Sequence, residues 1–187
     1  MAIRDTVRRK LTYEDYVLFP EDGQRHEILD GEHYVMPAPS LDHQGFSLNL
    51  SSKMGPFVRE HRLGLLRYAP TDVLLSEYDI VQPDLLFVSN DRAHILTKAN
   101  VQGAPDLVVE ILSDSTRRRD ETLKRHLYER FGVLEYWLVD PDSKTVRVYH
   151  RLGARFLAPQ EFSAAAGDLL TTPRLPGFEI RVSEIFE

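Results

Sequence analysis

The chain has 187 residues, 42% of them hydrophobic and 28% charged, which is ordinary for a globular protein, and we expect one domain over residues 1–187. The sequence contains no cysteine, which excludes disulfides, thiolate zinc sites and cysteine nucleophiles. A net charge of −6 argues against a strongly basic nucleic-acid binder, but not against a nuclease, whose metal site itself needs acidic residues.

The N-terminal part of the chain predicts a short helix followed by a hairpin. Residues 1–16 contain no apolar segment like that of a signal peptide, and no run approaches the ~20 apolar residues that span a bilayer, so we expect a cytoplasmic protein. Thr12 and Asp15 fit the N-cap and N3 positions of a short helix. Two strand-like runs then flank Asp30-Gly31, a strong signal for a two-residue hairpin turn.

The rest of the chain alternates strand and helix patterns. From Asp42 to His61 a helix is predicted, with one apolar stripe formed by Phe46, Leu50, Met54, Phe57 and Val58. A second helix is predicted from about Arg117 to Phe131, with Leu123, Leu127 and Phe131 facing the core. Strands are predicted at 65–69, 72–76, 84–89, 107–112, 134–140 and 145–150, with a polar connection over 90–103 and short strands in the C-terminal tail. This order predicts an α/β fold with a mixed central β-sheet flanked by helices and extra N-terminal and C-terminal β-hairpins.

One charged residue interrupts the most apolar strand. In the sequence APDLVVEILS (104–113), Glu110 stands among aliphatic residues typical of a strand buried on both faces. Burying an unpaired carboxylate is costly, because the charge loses its hydration. A metal ion would offset that cost. The alternatives are an ion pair with an arginine and a strand-edge position that reaches solvent.

A second carboxylate is expected near Glu110. Asp84 opens the apolar strand in VQPDLLFVS, and if the two strands are neighbours, both acids converge at one end of the sheet. Two close carboxylates repel each other, and a divalent cation removes this repulsion. Hard oxygen ligands suit Mg²⁺ or Mn²⁺. The alternative for Asp84 is an ordinary turn residue after a proline.

Lys124 can supply a positive charge at the same place. It lies about two turns into the helix that follows Glu110, so its ammonium reaches the carboxylates if that helix packs back along strand 107–112. There it could orient or deprotonate an attacking water, or stabilise a negative transition state. Metal, carboxylates and lysine together are chemistry for phosphodiester hydrolysis. The alternative is a solvated lysine paired with Asp120 or Tyr128 on its own helix.

Several long motifs carry a resemblance to a known family. They are VQPDLLFVS, GAPDLVVEILSDST and the pattern K-x3-Y-E-R-F-G-V-x-E-Y-W-x-V-D-P, and the matching region extends from EILDGE (27–32) to LPGFEI (175–180). In these motifs the chain resembles the Uma-two (Uma2) family, a bacterial group of nuclease-type proteins in the restriction-endonuclease-like, PD-(D/E)XK superfamily. The resemblance covers nearly the whole chain and implies a restriction-endonuclease-like α/β core.

The resemblance also implies a set of site residues. The PD aspartate would be Asp84 and the acid of (D/E)XK would be Glu110, both binding the metal. Leu112 stands where the superfamily's lysine would be, and the resemblance places that lysine on the following helix, here Lys124. An early glutamate of the superfamily corresponds to Glu27, which could otherwise be an exposed residue of the hairpin.

Four further residues are weighed for a role in the site. Asp106 belongs to the other Pro-Asp pair and is expected to lie outside the site. His43 resembles a position in a His-Gln pair of the family, which implies a substrate or lysine-supporting role; a capping contact at the helix start is the alternative. Gln82 could orient a water on the metal or be an ordinary strand-entry residue. Arg117 begins a basic run at a helix N-terminus, where the helix dipole disfavours it, so it contacts phosphate or is solvated surface charge.

These features predict a metal-dependent endonuclease that hydrolyses phosphodiester bonds of nucleic acid, with DNA favoured by superfamily analogy. Double-strand cleavage would suit a two-fold homodimer, and no membrane partner is expected. The first alternative is a non-catalytic nucleic-acid or protein binding module that retains the nuclease fold, which the acidic balance and the displaced lysine favour. A hydrolase of a small phosphorylated substrate is the third reading.

Overall fold

A mixed sheet of seven strands forms the centre of the fold in the computed structural model, which describes residues 9–187. The helices are α1 (Tyr13–Tyr16), α2 (Leu41–Glu60), α3 (Arg117–Arg119), α4 (Arg125–Phe131) and α5 (Val182–Ile185), with a 3₁₀ helix at Asn90–Ile95 and a π-helical turn at Asp120–Lys124. The strands are β1 (Arg25–Leu29), β2 (Glu32–Met36), β3 (Gly64–Tyr68), β4 (Val73–Ser76), β5 (Asp79–Val81), β6 (Leu85–Ser89), β7 (Val101–Gln102), β8 (Leu107–Ile111), β9 (Glu135–Asp140), β10 (Thr145–Leu152), β11 (Arg155–Phe156), β12 (Gln160–Ser163), β13 (Leu169–Thr171) and β14 (Glu179–Arg181). Among these residues, no helix combines the length and the apolarity that crossing a membrane requires. The expectation about a signal peptide rests partly on residues 1–8, which lie outside the described part of the chain.

Two strand pairings in the central sheet set the position of the site. The sheet has the order β11-β10-β9-β8-β6-β3, with β12 also paired to β10. β8 runs parallel to β9 and antiparallel to β6, with Leu85 opposite Val109. The strands that begin after Asp84 and contain Glu110 are therefore neighbours, and this register brings the two acids to the same end of the pair.

A second sheet of five strands, in the order β2-β1-β5-β4-β7, carries the N-terminal hairpin. Asp30 and Gly31 at its turn both have positive φ angles, 52° and 79°, which confirms the predicted two-residue turn. The hairpin does not stand alone, because Ile28 of β1 pairs with Ile80 of β5. The sequence pattern did not predict β5 or β7, since strands of three and two residues are too short to show alternation.

Each face of the central sheet has its own apolar core, and β8 contributes to both. Val109 and Ile111 pack on one face with residues of α2. Val108 and Leu112 pack on the other face with residues of α4. The prediction of a strand buried on both faces is therefore confirmed. Glu110 lies between the two residues of the second face, since side chains alternate along a strand.

The helix predicted from Arg117 to Phe131 is interrupted in its middle by the π-helical turn. Asp120 and Lys124 are buried, whereas Leu123 is 50% exposed. The expectation that Leu123 faces the core is therefore wrong. The apolar pattern fails at this position because the inward side of the helix is charged at Asp120 and Lys124, whereas Leu127 packs in the core as predicted.

Candidate active site

Lys124 lies at the centre of a buried cluster of charged side chains. Its Nζ is 2.8 Å from Glu27 Oε1, 2.9 Å from Glu110 Oε1 and 3.7 Å from Asp120 Oδ1. The Tyr128 hydroxyl donates to the same Glu110 oxygen at 2.7 Å. Of the two alternative partners on the lysine's own helix, Asp120 contacts the lysine and Tyr128 contacts Glu110 instead, and the lysine side chain is 1% exposed rather than solvated. A lysine can be this deeply buried because carboxylates offset its charge.

Asp84 is held by three groups around its carboxylate. Its Oδ2 accepts a hydrogen bond from the backbone N–H of Ile111 at 2.8 Å and lies 3.1 Å from His43 Nε2. Its Oδ1 lies 3.5 Å from Nη1 of Arg25. Burial raises the pKa of Asp84, but the His43 contact, the Ile111 N–H and Arg25 more than offset this and hold it below the usual value. Asp84 is therefore a fixed, ionised oxygen donor.

Four separate elements bring these side chains together. Glu27 comes from β1 in the second sheet, Asp84 from the residue before β6, and Glu110 from β8. Asp120 and Lys124 are the first and last residues of the π-helical turn. A π-helical turn inside an α-helix is costly and is frequently found at functional sites. Here it lies where the helix presents both charges to the interior.

The pKa values reflect an excess of negative charge. Burial, with Asp120, Asp84 and Glu27 nearby, raises the pKa of Glu110 to about 8 although Lys124 lowers it. Burial also raises the pKa of Asp120 to about 6, again against Lys124. Burial by itself would lower the pKa of Lys124, but Glu110, Glu27 and Asp120 raise it above its usual value. Three carboxylates therefore share the buried ammonium of Lys124, and Asp84 adds a fourth negative charge nearby.

The arrangement of these carboxylates suits a cation with two protein ligands better than a cation that is enclosed entirely by protein ligands. Among residues 9–187, no group of three or more His, Asp or Glu side chains is arranged as a ready-made metal site. Mg²⁺ needs none, because it is typically bound by one or two carboxylates, waters and substrate phosphates. Glu27 Oε2 and Asp120 Oδ1 are buried without a hydrogen-bond partner in the described part of the chain. The donor set and its surplus negative charge fit a hard divalent cation at Asp84 and Glu110.

The cluster opens onto a groove of about 1000 Å³. Asp84, Glu110 and Asp120 line this groove, while Lys124 and Glu27 lie behind them and do not line it. A ligand in the groove therefore meets the carboxylates first.

Comparisons with known proteins bear on what this groove does. The model of the Uma2 family, described as "Putative restriction endonuclease", matches residues 13–183. The chain belongs to the Uma2 family. This confirms the resemblance seen in its motifs. An uncharacterized protein of Synechocystis sp. (strain ATCC 27184 / PCC 6803 / Kazusa), slr1290, is 29% identical over 147 residues, which is 76% of this chain and 75% of that protein.

A solved structure shows the same fold. It is the crystal structure of a "putative nuclease belonging to DUF820" from Anabaena variabilis ATCC 29413, which is 20% identical to this chain. The match covers 94% of this chain and 97% of that one, with a TM-score of 0.80. The predicted fold class, an α/β restriction-endonuclease-like core with a mixed sheet flanked by helices, is confirmed.

The remaining sequence candidates of this Uma2 protein lie in different places. His43 has two contacts, since its backbone N–H donates to the Ser40 side chain at the start of α2 while its ring reaches Asp84. Gln82 lines the groove, and its backbone N–H donates to Glu27 Oε1 at 2.8 Å. Arg117 does not line the groove and instead forms ion pairs with Asp140 and Asp142.

The second Pro-Asp aspartate lies away from the cluster. Asp106 accepts a hydrogen bond from the backbone N–H of Ser89 at 2.7 Å and lies 3.8 Å from Arg92. These contacts join β6 and β8 at the end of the strand pair that lies away from Asp84. The two Pro-Asp sequences therefore have different surroundings although their residues read alike.

Sequence reasoning missed two residues of the cluster. Asp120 appeared only as a surface partner of Lys124; its spacing of four residues from a buried lysine on the same helix face was a usable signal. Arg25 had no such signal, because its contact with Asp84 depends on how the N-terminal hairpin joins the second sheet.

Proposed function

We propose that this Uma2 protein is a divalent-cation-dependent endonuclease that hydrolyses phosphodiester bonds in nucleic acid, with DNA as the first substrate to test. The observation that carries the proposal is the set of groove-lining carboxylates, Asp84, Glu110 and Asp120, backed by one buried ammonium. The description of the family, "Putative restriction endonuclease", supports it.

Asp84 and Glu110 are the proposed ligands of Mg²⁺ or Mn²⁺. When bound, the ion would supply Lewis-acid polarisation of the scissile phosphate. Around Asp84, His43, Arg25 and the Ile111 N–H fix the carboxylate and keep it ionised. A ligand held in this way needs little reorganisation before it binds, which favours tight and specific coordination.

Lys124 and Glu27 form the inner part of the proposed site. The ammonium of Lys124 touches one oxygen each of Glu27 and Glu110, so it fixes the orientation of both. A protonated lysine donates hydrogen bonds and cannot accept a proton, so its role is to stabilise negative charge rather than to act as a general base. The Gln82 N–H donates to the same Glu27 oxygen, Oε1, that Lys124 contacts.

A second candidate function is a nucleic-acid or protein binding module without catalysis. The burial of Lys124 and its engagement with two carboxylates favour this reading, because such a lysine is not free to meet a substrate in the groove. A two-fold dimer remains a proposal under either function, and it suits cleavage of both strands of a duplex.

A plasmid cleavage assay tests the proposed function. Supercoiled DNA is incubated with the wild type in Mn²⁺, Mg²⁺ or EDTA, and we expect nicking or linearisation only with a cation. Asp84→Asn should abolish cleavage, while the matched control Asp106→Asn, which changes the other buried Pro-Asp aspartate, should retain it. Both variants must melt cooperatively for the comparison to count. Cleavage by Asp84→Asn at the wild-type rate, or in EDTA, would contradict the proposal, and no cleavage by a folded, metal-binding wild type would favour the binding module.

A further inference from the structure

A second cavity lies beside the carboxylate groove. It has a volume of about 540 Å³ and is formed by α2, the end of β3 and the segments 23–25 and 36–39. Arg25, His43 and Asp84 line both this cavity and the groove. The two cavities therefore share a wall at the residue that we propose as a metal ligand.

The lining of the second cavity combines exposed apolar surface with polar groups. Tyr68 at the end of β3 is 62% exposed, and Leu48 on α2 is 65% exposed. Gln44, Ser47 and Ser51 of α2 line the same cavity. Apolar and aromatic side chains with a few polar groups in a concave surface are typical of a ligand-binding site.

Arg25 places a positive charge at the shared wall of the two cavities. Its Nη1 lies 3.5 Å from Asp84 Oδ1, beyond the range of a strong hydrogen bond. The Arg25 side chain is 20% exposed and lines both cavities, so its guanidinium can donate to an acceptor on a bound molecule, such as a phosphate or a base carbonyl.

We propose that this cavity binds an unstacked nucleobase of the strand whose phosphate lies in the groove at Asp84 and Glu110. This inference rests on the proposed nuclease function and adds the substrate class, single-stranded or locally unpaired DNA. Each base is joined through its sugar to the backbone phosphates, so a phosphate at the shared wall brings a base within reach of the cavity. The Tyr68 ring offers a stacking surface, and Gln44 and Ser47 offer donors and acceptors for the base edge.

A base inside a duplex cannot enter this cavity without leaving its stack. Unpairing and unstacking a base in a duplex cost free energy, and this cost is smaller for a base that is already in a single strand. A single strand should therefore bind more tightly than the same strand annealed to its complement. Non-specific binding through phosphates alone would show the opposite order, because a duplex has the higher charge density.

Fluorescence anisotropy with a short labelled oligonucleotide tests the proposal. The probe carries cleavage-resistant phosphorothioate linkages and is titrated in Mn²⁺, as a single strand and as a duplex. Tyr68→Ser should weaken single-strand binding about 5- to 150-fold, since a base stacked on an aromatic ring contributes that much. Tyr68→Phe, which keeps the ring, and Tyr78→Ser, which removes a tyrosine outside both cavities, should bind like the wild type.

The outcomes separate this inference from the proposed function. Equal binding of single strand and duplex, or wild-type affinity in Tyr68→Ser, would overturn the base site even if plasmid cleavage is observed. Single-strand binding that Tyr68→Ser weakens, with no cleavage of any DNA, would retain the base site and overturn the nuclease function. If Tyr68→Ser does not fold, Leu48→Ser removes apolar surface from the same cavity and should weaken single-strand binding in its place.

Discussion

At the scale of single residues, Lys124 is the charge on which the cluster depends. Among residues 9–187, it is the one ammonium that contacts Glu27, Glu110 and Asp120, all of them buried. Removing one partner of a buried ionic cluster leaves the others uncompensated. The charged cluster should therefore stabilise the fold as well as form the proposed active site. Its effects on stability and on activity can be measured separately.

Lys124→Met should destabilise the cation-free protein by about 3–5 kcal/mol, the usual cost of breaking a buried ion pair. Urea denaturation in EDTA measures the change in the free energy of unfolding. The matched control is Lys53→Met, which removes an exposed ion pair with Glu184 and should leave stability nearly unchanged. A Lys124→Met protein as stable as the Lys53→Met protein would show that the lysine is not the counter-charge.

Glu110 predicts how the stability of the cation-free protein depends on pH. Its pKa is raised from 4.5 to about 8, so the folded state holds this proton more tightly than the unfolded chain does. The contribution of this proton to the free energy of unfolding is complete below the unfolded pKa of Glu110, and it is lost as pH rises through about 8. Urea midpoints in EDTA should therefore fall across this window, and the fall should be smaller in Glu110→Gln. Identical pH profiles for the two proteins would refute the assignment.

At the scale of elements, Arg117 fastens the start of the interrupted helix to the end of β9. Its Nη1 and Nη2 donate to the two Asp140 oxygens at 2.7 and 2.9 Å, and Nη2 also donates to Asp142 Oδ2 at 2.6 Å. This fork of hydrogen bonds explains a basic residue at a helix N-terminus, where the dipole alone would disfavour it. Arg117 positions the helix that carries Lys124.

Arg117→Ala should lower the free energy of unfolding by about 1–2 kcal/mol at neutral pH. The Arg117 contact is the main cause that lowers the pKa of Asp140 from 3.8 to about 2. A lowered carboxylate pKa stabilises the fold above the unfolded value, and this stabilisation is lost as pH falls through the folded one. The difference between wild type and Arg117→Ala should thus shrink from pH 3.8 toward 2, when followed by urea denaturation. Arg118→Ala, on the exposed side of the same turn, is the control, and a difference that persists at the acid end would contradict the account.

The elements also show what the sequence could predict. The turn at Asp30-Gly31 was predictable because its positive φ angles depend on two adjacent residues. The meeting of Asp84 and Glu110 was predictable from two strong apolar strands that had only to be neighbours. The buried charges of the interrupted helix were not predictable. Apolar periodicity selects Leu123 as the inward residue, and it cannot show that carboxylates on other elements stabilise a buried lysine.

At the scale of the whole molecule, the site joins parts of the chain that are far apart in sequence. Glu27 belongs to the second sheet, Glu110 to the central sheet, and Lys124 to the interrupted helix. The short strands β5 and β7 complete the second sheet, and no local sequence pattern predicted them. The complete cluster, including Arg25, therefore follows only from the tertiary arrangement. Because the proposed metal ligands Asp84 and Glu110 converge only in the folded chain, cation binding should stabilise the fold as a whole.

Calorimetric titration of Mn²⁺ into the cation-free wild type, Glu110→Gln and the control Asp106→Asn tests whether Asp84 and Glu110 bind a cation. We expect saturable binding to the wild type and to Asp106→Asn, and its loss in Glu110→Gln, with all three proteins folded. Equal binding to Glu110→Gln would place the cation elsewhere. Failure of the folded wild type to bind Mn²⁺, both alone and with a cleavage-resistant oligonucleotide, would contradict a carboxylate metal site in this groove.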